Sequence, residues 1–127
     1  MHLTLDPEER WLYVANLQTG SVSVIPVLED GSLGKLHDLK FISVNGGPGY
    51  ISHPHQTMKD RSGRWLVVPS QGRIQGIGKL TVFAMDEEQG SLKETFIQKG
   101  RTGAEPRHCV FHPGNKYCYC VNEKDST

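Results

Sequence analysis

Four of the six histidines in this chain crowd into two short segments, His53-Pro54-His55-Gln56 and Arg107-His108-Cys109-Val110-Phe111-His112, and Glu123 follows sixteen residues after Arg107. Histidine is suited to moving protons near neutral pH, so His55 reads as a general base or acid. Arg107 offers a planar fork that can grip a carboxylate or phosphate, or steady an oxyanion. Glu123 could orient either group or act as their acid–base partner. Each residue also has a plainer role open to it. His55 could bond only the turn that Pro54 leads into, Arg107 could pair on the surface with Glu105, and Glu123 could be a solvated carboxylate beside Lys124 and Asp125.

Other chemistries fare less well. In an extended strand His53 and His55 would present both rings on one face, as zinc sites do. However, Pro54 separates them and no Asp or Glu stands at ligand spacing, so no metal is expected. The Gly46-Gly47-Pro48-Gly49 stretch lacks the Lys-Ser/Thr and helix of a phosphate loop, and Gly72–Gly78 leads from one strand into another. Cys118 and Cys120 fall on the same side of a strand and Cys109 near the start of another, which suits small packing residues better than a nucleophile. No cofactor is expected.

Composition narrows the remaining classes. Fourteen Lys and Arg balance fourteen Asp and Glu, so no electrostatic footprint points to nucleic acid or an anionic membrane surface. The apolar runs, such as Trp65-Leu66-Val67-Val68-Pro69, are far too short to span a bilayer. The opening His2-Leu3-Thr4-Leu5-Asp6 has neither the basic flank nor the apolar stretch of a signal peptide. Three cysteines do not make a disulfide framework, and the expectation is a cytoplasmic protein.

The elements that must position these residues repeat. Asp6-Pro7-Glu8-Glu9-Arg10-Trp11-Leu12-Tyr13-Val14 returns as Asp60-Arg61-Ser62-Gly63-Arg64-Trp65-Leu66-Val67-Val68, 54 residues on. A third copy opens 52 residues later at His112-Pro113-Gly114-Asn115-Lys116-Tyr117-Cys118-Tyr119-Cys120. Each is a polar turn followed by an aromatic and a short apolar run, the form of a turn between two strands. Alternation in Ser21–Ile25 and Lys79–Phe83 predicts a further strand in the first two copies. After a Gly-Ser-Leu turn, Phe41-Ile42-Ser43-Val44 and Glu94-Thr95-Phe96-Ile97 predict a fourth. Four up-and-down strands per unit make a β-propeller blade. The fold class expected is all-β, about two and a half four-stranded blades in units 1–54, 55–106 and 107–127, a piece of a larger ring. Blade equivalence also groups the site. His55 stands five residues before Asp60 and Arg107 five before His112, so the two should approach each other, while Glu123 takes the place of Leu17 and Gln71.

Four segments, His53-Pro54-His55-Gln56, Asp60-Arg61-Ser62-Gly63-Arg64, Glu105-Pro106-Arg107-His108-Cys109-Val110-Phe111-His112-Pro113 and Cys120-Val121-Asn122-Glu123, occur here in order. Together they resemble the lactonase family of seven-bladed β-propellers, which includes bacterial 6-phosphogluconolactonases and fungal carboxy-cis,cis-muconate cyclase. The resemblance spans the chain but only a middle portion of a family member. It implies a lactone hydrolase acting on 6-phospho-D-glucono-1,5-lactone, a small anionic sugar lactone. A carboxymuconate cyclase-type isomerase and a non-catalytic scaffold for protein partners are the alternatives. It implies His55, Arg107 and Glu123 as catalytic, with His53, His108 and Asn122 beside the substrate; His108 and His112 also read as holding the turn before Tyr117. The family usually carries an acidic residue and Leu-Gly after the strand ending near Pro69, whereas this chain reads Ser70-Gln71-Gly72-Arg73.

Overall fold

A computed structural model describes residues 1–42, 50–73 and 77–127. Ten strands form three antiparallel sheets, with no helix among the described residues, hence none that could cross a membrane. The first sheet is a meander of β1 (His2–Leu5), β2 (Trp11–Asn16), β3 (Ser21–Pro26) and β4 (Asp38–Phe41). The second repeats it with β5 (Met58–Lys59), β6 (Trp65–Ser70), β7 (Ile77–Asp86) and β8 (Ser91–Thr102). The third is the pair β9 (Pro106–Phe111) and β10 (Cys118–Asn122). These are two blades and the inner half of another.

The repeated turn works the same way each time. The Asp6 carboxylate accepts from the Trp11 amide at 2.7 Å, and the Asp60 carboxylate from the Trp65 amide at 3.0 Å. In the third copy His112 replaces the aspartate, and its Nδ1 accepts from the Gly114 amide at 3.0 Å. Its ring also stands edge-on to Tyr117, so His112 holds this turn. Neighbouring blades are tied by Trp11 Nε1 donating to the Glu87 carbonyl at 2.8 Å and by Asn115 Nδ2 donating to Asp60 Oδ2 at 2.7 Å. Gly90 makes the first tie possible. A Cβ there would sit 2.4 Å from the Trp11 ring, and its φ of 61° disfavours any side chain.

The core lies between the first two sheets, where Tyr13, Val22, Val24, Ile42, Leu66, Val68, Phe83 and Leu92 pack with Trp11 and Met85 against them. Strand β6 is buried from Leu66 to Ser70 because sheets cover both of its faces.

The first blade's edge strand departs from expectation. It starts earlier than expected, at Asp38, and is described as Asp38–Phe41; Ile42 continues the pairing by donating its amide to the Gly20 carbonyl. Apolar content misleads here because the edge strand's outer face is uncovered: Leu39 and Phe41 are exposed, and Lys40 pairs with Asp38 at 3.0 Å. Ser43, Val44 and the Gly46–Gly49 loop lie outside the described residues, as do residues 74–76 of the Gly72–Gly78 stretch. Residues 52–55 run along β6, through a Pro54–Ser70 bridge, and Pro106 belongs to β9.

Candidate active site

Pro54 has no amide hydrogen, so the strand before β5 is broken there. The chain still stays with β6: the His55 amide donates to the Pro69 carbonyl at 2.9 Å and the Gln71 amide to the His53 carbonyl at 3.0 Å. His53 itself has φ of 54°, so His53 and His55 are not alternate residues of an extended strand. The extended His-x-His geometry that a zinc site would use is therefore not formed here. His53 is buried, with its Nδ1 unpartnered among the described residues.

His55 projects toward the third sheet. Arg107, early in β9, donates from Nε to His55 Nε2 at 3.1 Å, and the His108 ring stands edge-on to His55 at 4.8 Å. Accepting at Nε2 leaves the imidazole proton on Nδ1, which is buried and without a partner among the described residues. Burial, then the charge of Arg107, pushes the His55 pKa down to about 4. His55 is therefore a neutral imidazole with its one lone pair on the nitrogen facing Arg107.

Glu123 follows β10 and closes the group. One of its carboxylate oxygens pairs with Arg107 Nη1 and the other accepts from Gln71 Nε2. Arg107 does not pair with Glu105, which instead meets Lys124 at 3.6 Å, and Asp125 pairs with Arg101 at 2.7 Å. Asn122 lines the same open depression, of about 410 Å³, as Arg107, His108 and Glu123, but its amide turns to Thr127. The second and third sheets thus supply these residues. His2 of β1 lies close enough to His108 that, after burial, the charge of His108 further lowers its pKa.

Two residues beyond those picked from the sequence join the group. Gln71 is wholly buried and links Glu123 to Arg73, whose Nε donates to Gln71 Oε1 at 2.9 Å. Its 52-residue offset from Glu123 was the only sequence signal for it. His2, His55 and His108 are spaced 53 residues apart, which could have pointed to His2.

The cysteines pack together. Cys109 faces Cys120 across β9 and β10, and all three thiols are free. Hydrogen bonds with Cys118 and Cys120, and then burial, push the Cys109 thiol up, away from nucleophilic behaviour. Among the described residues no cluster of three His, Cys, Asp or Glu could hold a metal ion.

Four-stranded meander blades with inner-strand residues converging from consecutive blades define a β-propeller, with a site of neutral imidazole, guanidinium and carboxylate. The sequence model described as "Lactonase, 7-bladed beta-propeller" matches residues 1–127, and the chain belongs to that family. It is 32% identical to a 6-phosphogluconolactonase of Erwinia tasmaniensis over 99% of the chain and 35% of the relative. It is 33% identical to one of Klebsiella pneumoniae over 99% of the chain and 34% of the relative. A periplasmic gluconolactonase structure from Pseudomonas aeruginosa superposes with a TM-score of 0.80 at 26% identity, covering 97% of this chain and 35% of that one. The chain therefore spans about a third of the length of the relatives it matches.

Proposed function

We propose that these blades belong to a complete seven-bladed ring that hydrolyses 6-phospho-D-glucono-1,5-lactone to 6-phosphogluconate. The observation that carries this reading is the Arg107 guanidinium lying between the neutral imidazole of His55 and the carboxylate of Glu123. The names of the 31–33% identical relatives support the choice of lactone.

Hydrolysis of a lactone needs a base for the attacking water and a donor for the oxygen that becomes negative. His55 Nε2 is unprotonated at neutral pH, so it takes a proton from water once Arg107 releases that nitrogen to grip the substrate. The remaining Nη hydrogens of Arg107 meet the developing oxyanion. Glu123 orients the guanidinium, which keeps its charge throughout. The ring opens as the leaving oxygen takes the proton that His55 accepted. Asn122 and His108 border the substrate, and His53 supports the segment carrying His55.

The intact protein is expected to hydrolyse the phosphorylated lactone, with His55→Ala and Arg107→Ala each lowering kcat by about 10²–10⁴-fold. Rates like the wild type in both variants would remove them from the site. Turnover of a carboxymuconate instead of the lactone would assign the cyclase reaction. Three free thiols suit a reducing compartment, and we assign the protein to the cytoplasm. One structural relative is periplasmic, so cell fractionation is the check.

A further inference from the structure

Arg73 stands just beyond the buried C-terminal end of β6, next to the catalytic group. Its Nε is held by Gln71 Oε1, while its two Nη groups have no partner among the described residues. The residue itself is exposed. An amide is the side chain suited to the position of Gln71. Its oxygen accepts from a cation on one side and its NH₂ donates to the Glu123 carboxylate on the other, and it adds no charge of its own. A carboxylate at residue 71 would neutralise Arg73 and repel Glu123; an apolar residue would hold neither.

The backbone makes the arrangement rigid. Gln71 is fully buried, its amide donates to the His53 carbonyl, and the next amide, of Gly72, donates to the Ser52 carbonyl, both at 3.0 Å. Gly72 has φ of 60°, and a Cβ there would lie 2.1 Å from the Ile77 carbonyl oxygen, so the turn that presents Arg73 admits only glycine. The same segment that carries His55 therefore fixes Arg73. Glu123 already offsets one guanidinium, that of Arg107. The second leaves the group net positive at the end away from His55.

We infer that Arg73 is a second anion-binding residue of this site, seating the phosphate of the substrate remote from the carbonyl on which His55 and Arg107 act, with Gln71 as its positioning residue. The inference takes its substrate class from the lactonase reading above. A guanidinium held at Nε presents its two Nη groups side by side, the geometry that binds two phosphate oxygens at once. This makes Arg73 a determinant of phosphorylated over unphosphorylated lactone and not part of the bond-breaking machinery.

The test compares 6-phospho-D-glucono-1,5-lactone with D-glucono-1,5-lactone in the intact protein. Arg73→Ala is expected to reduce the ratio of kcat/KM for the two lactones about 10- to 100-fold, mainly through KM for the phosphorylated one. Arg73→Lys should recover part of the ratio, because lysine keeps the charge without the fork. Gln71→Leu should lower the ratio as well and also lower kcat, since Glu123 loses a partner. An unchanged ratio in Arg73→Ala overturns the inference while leaving lactone hydrolysis intact. If the protein hydrolyses neither lactone, the lactonase reading fails, and calorimetric titration with 6-phosphogluconate and gluconate decides Arg73 alone. A preference for the phosphorylated acid that disappears in Arg73→Ala supports it; equal binding of both acids, or no binding, overturns it.

Discussion

A histidine that accepts a hydrogen bond from an arginine is held in its basic form. His55 has its pKa pushed down to about 4 by burial first and by the Arg107 charge second. The acid limb of kcat/KM for the intact protein should therefore fall near pH 4 instead of near the ordinary histidine value. NMR titration of the His55 ring should find the same ionisation. In Arg107→Ala it should move upward only part of the way, because burial, the larger cause, remains. An acid limb near 6.5 in the wild type would show that His55 is not the base. The sign for stability follows from the same shift. The unfolded chain takes up the proton at about 6.5 and the folded one only near 4, so the contribution of His55 is fully present above 6.5 and is lost as pH falls toward 4. The proximity of His55 and Arg107 was legible in the sequence because both stand five residues before equivalent turns. Gln71 was legible only as the blade equivalent of Glu123, and Arg73 not at all, because a buried amide linking two charges is not a residue type that announces chemistry, and its neighbours in sequence read as a glycine-rich loop.

At the scale of the element, the blade turn is built around one aspartate. Asp60 accepts from the Trp65 amide, the Ser62 amide and hydroxyl, and Asn115 of the next blade. Burial opposes its ionisation, but these hydrogen bonds outweigh it and hold the carboxyl below the usual carboxylate range. Its stabilisation is present above the ordinary carboxylate pKa and is lost as pH falls through the lower, folded value. Asp60→Ala is expected to destabilise the intact protein by about 2–3 kcal/mol, because it strands several donors and unties two blades. Thermal melting should show this as a lowered Tm, and a melt like the wild type would mean that the Asn115 tie contributes nothing. The turns were readable because polar-turn chemistry and the aromatic recur with a fixed offset. The edge strands were less so. Strand β4 has its outer face uncovered, so Leu39 and Phe41 alternate with Asp38 and Lys40 without a buried stripe to mark the register. The split before β5 is legible only as Pro54, and its consequence, a left-handed His53, needs the paired backbone of β6 to be seen.

At the scale of the whole molecule, the two outer faces of the three-sheet stack carry the remaining argument. On the first sheet Leu3 and Phe41 are 59% and 68% exposed, and on the third Val110 and Tyr119 are each 56% exposed. Val121 shares that face, while Cys109, Cys118 and Cys120 alternate to the side facing the second sheet. Blades bury such faces against neighbours, and in a seven-bladed ring each sheet has two. Balanced charge offers these faces no general repulsion. The 127 residues expressed alone should therefore associate in a concentration-dependent way, seen by size-exclusion chromatography with light scattering, and should turn over no lactone. Val121→Lys separates this association from a general tendency to aggregate. On the isolated chain it should reduce association, because a charge now stands on the open face. In the intact protein it should lower the Tm, because there the next blade covers Val121 and the ammonium would be buried without a partner. A monomeric, cooperatively melting 127-residue chain would show that the outer faces need no neighbouring blade. An unchanged Tm in the intact variant would show that Val121 faces solvent there too.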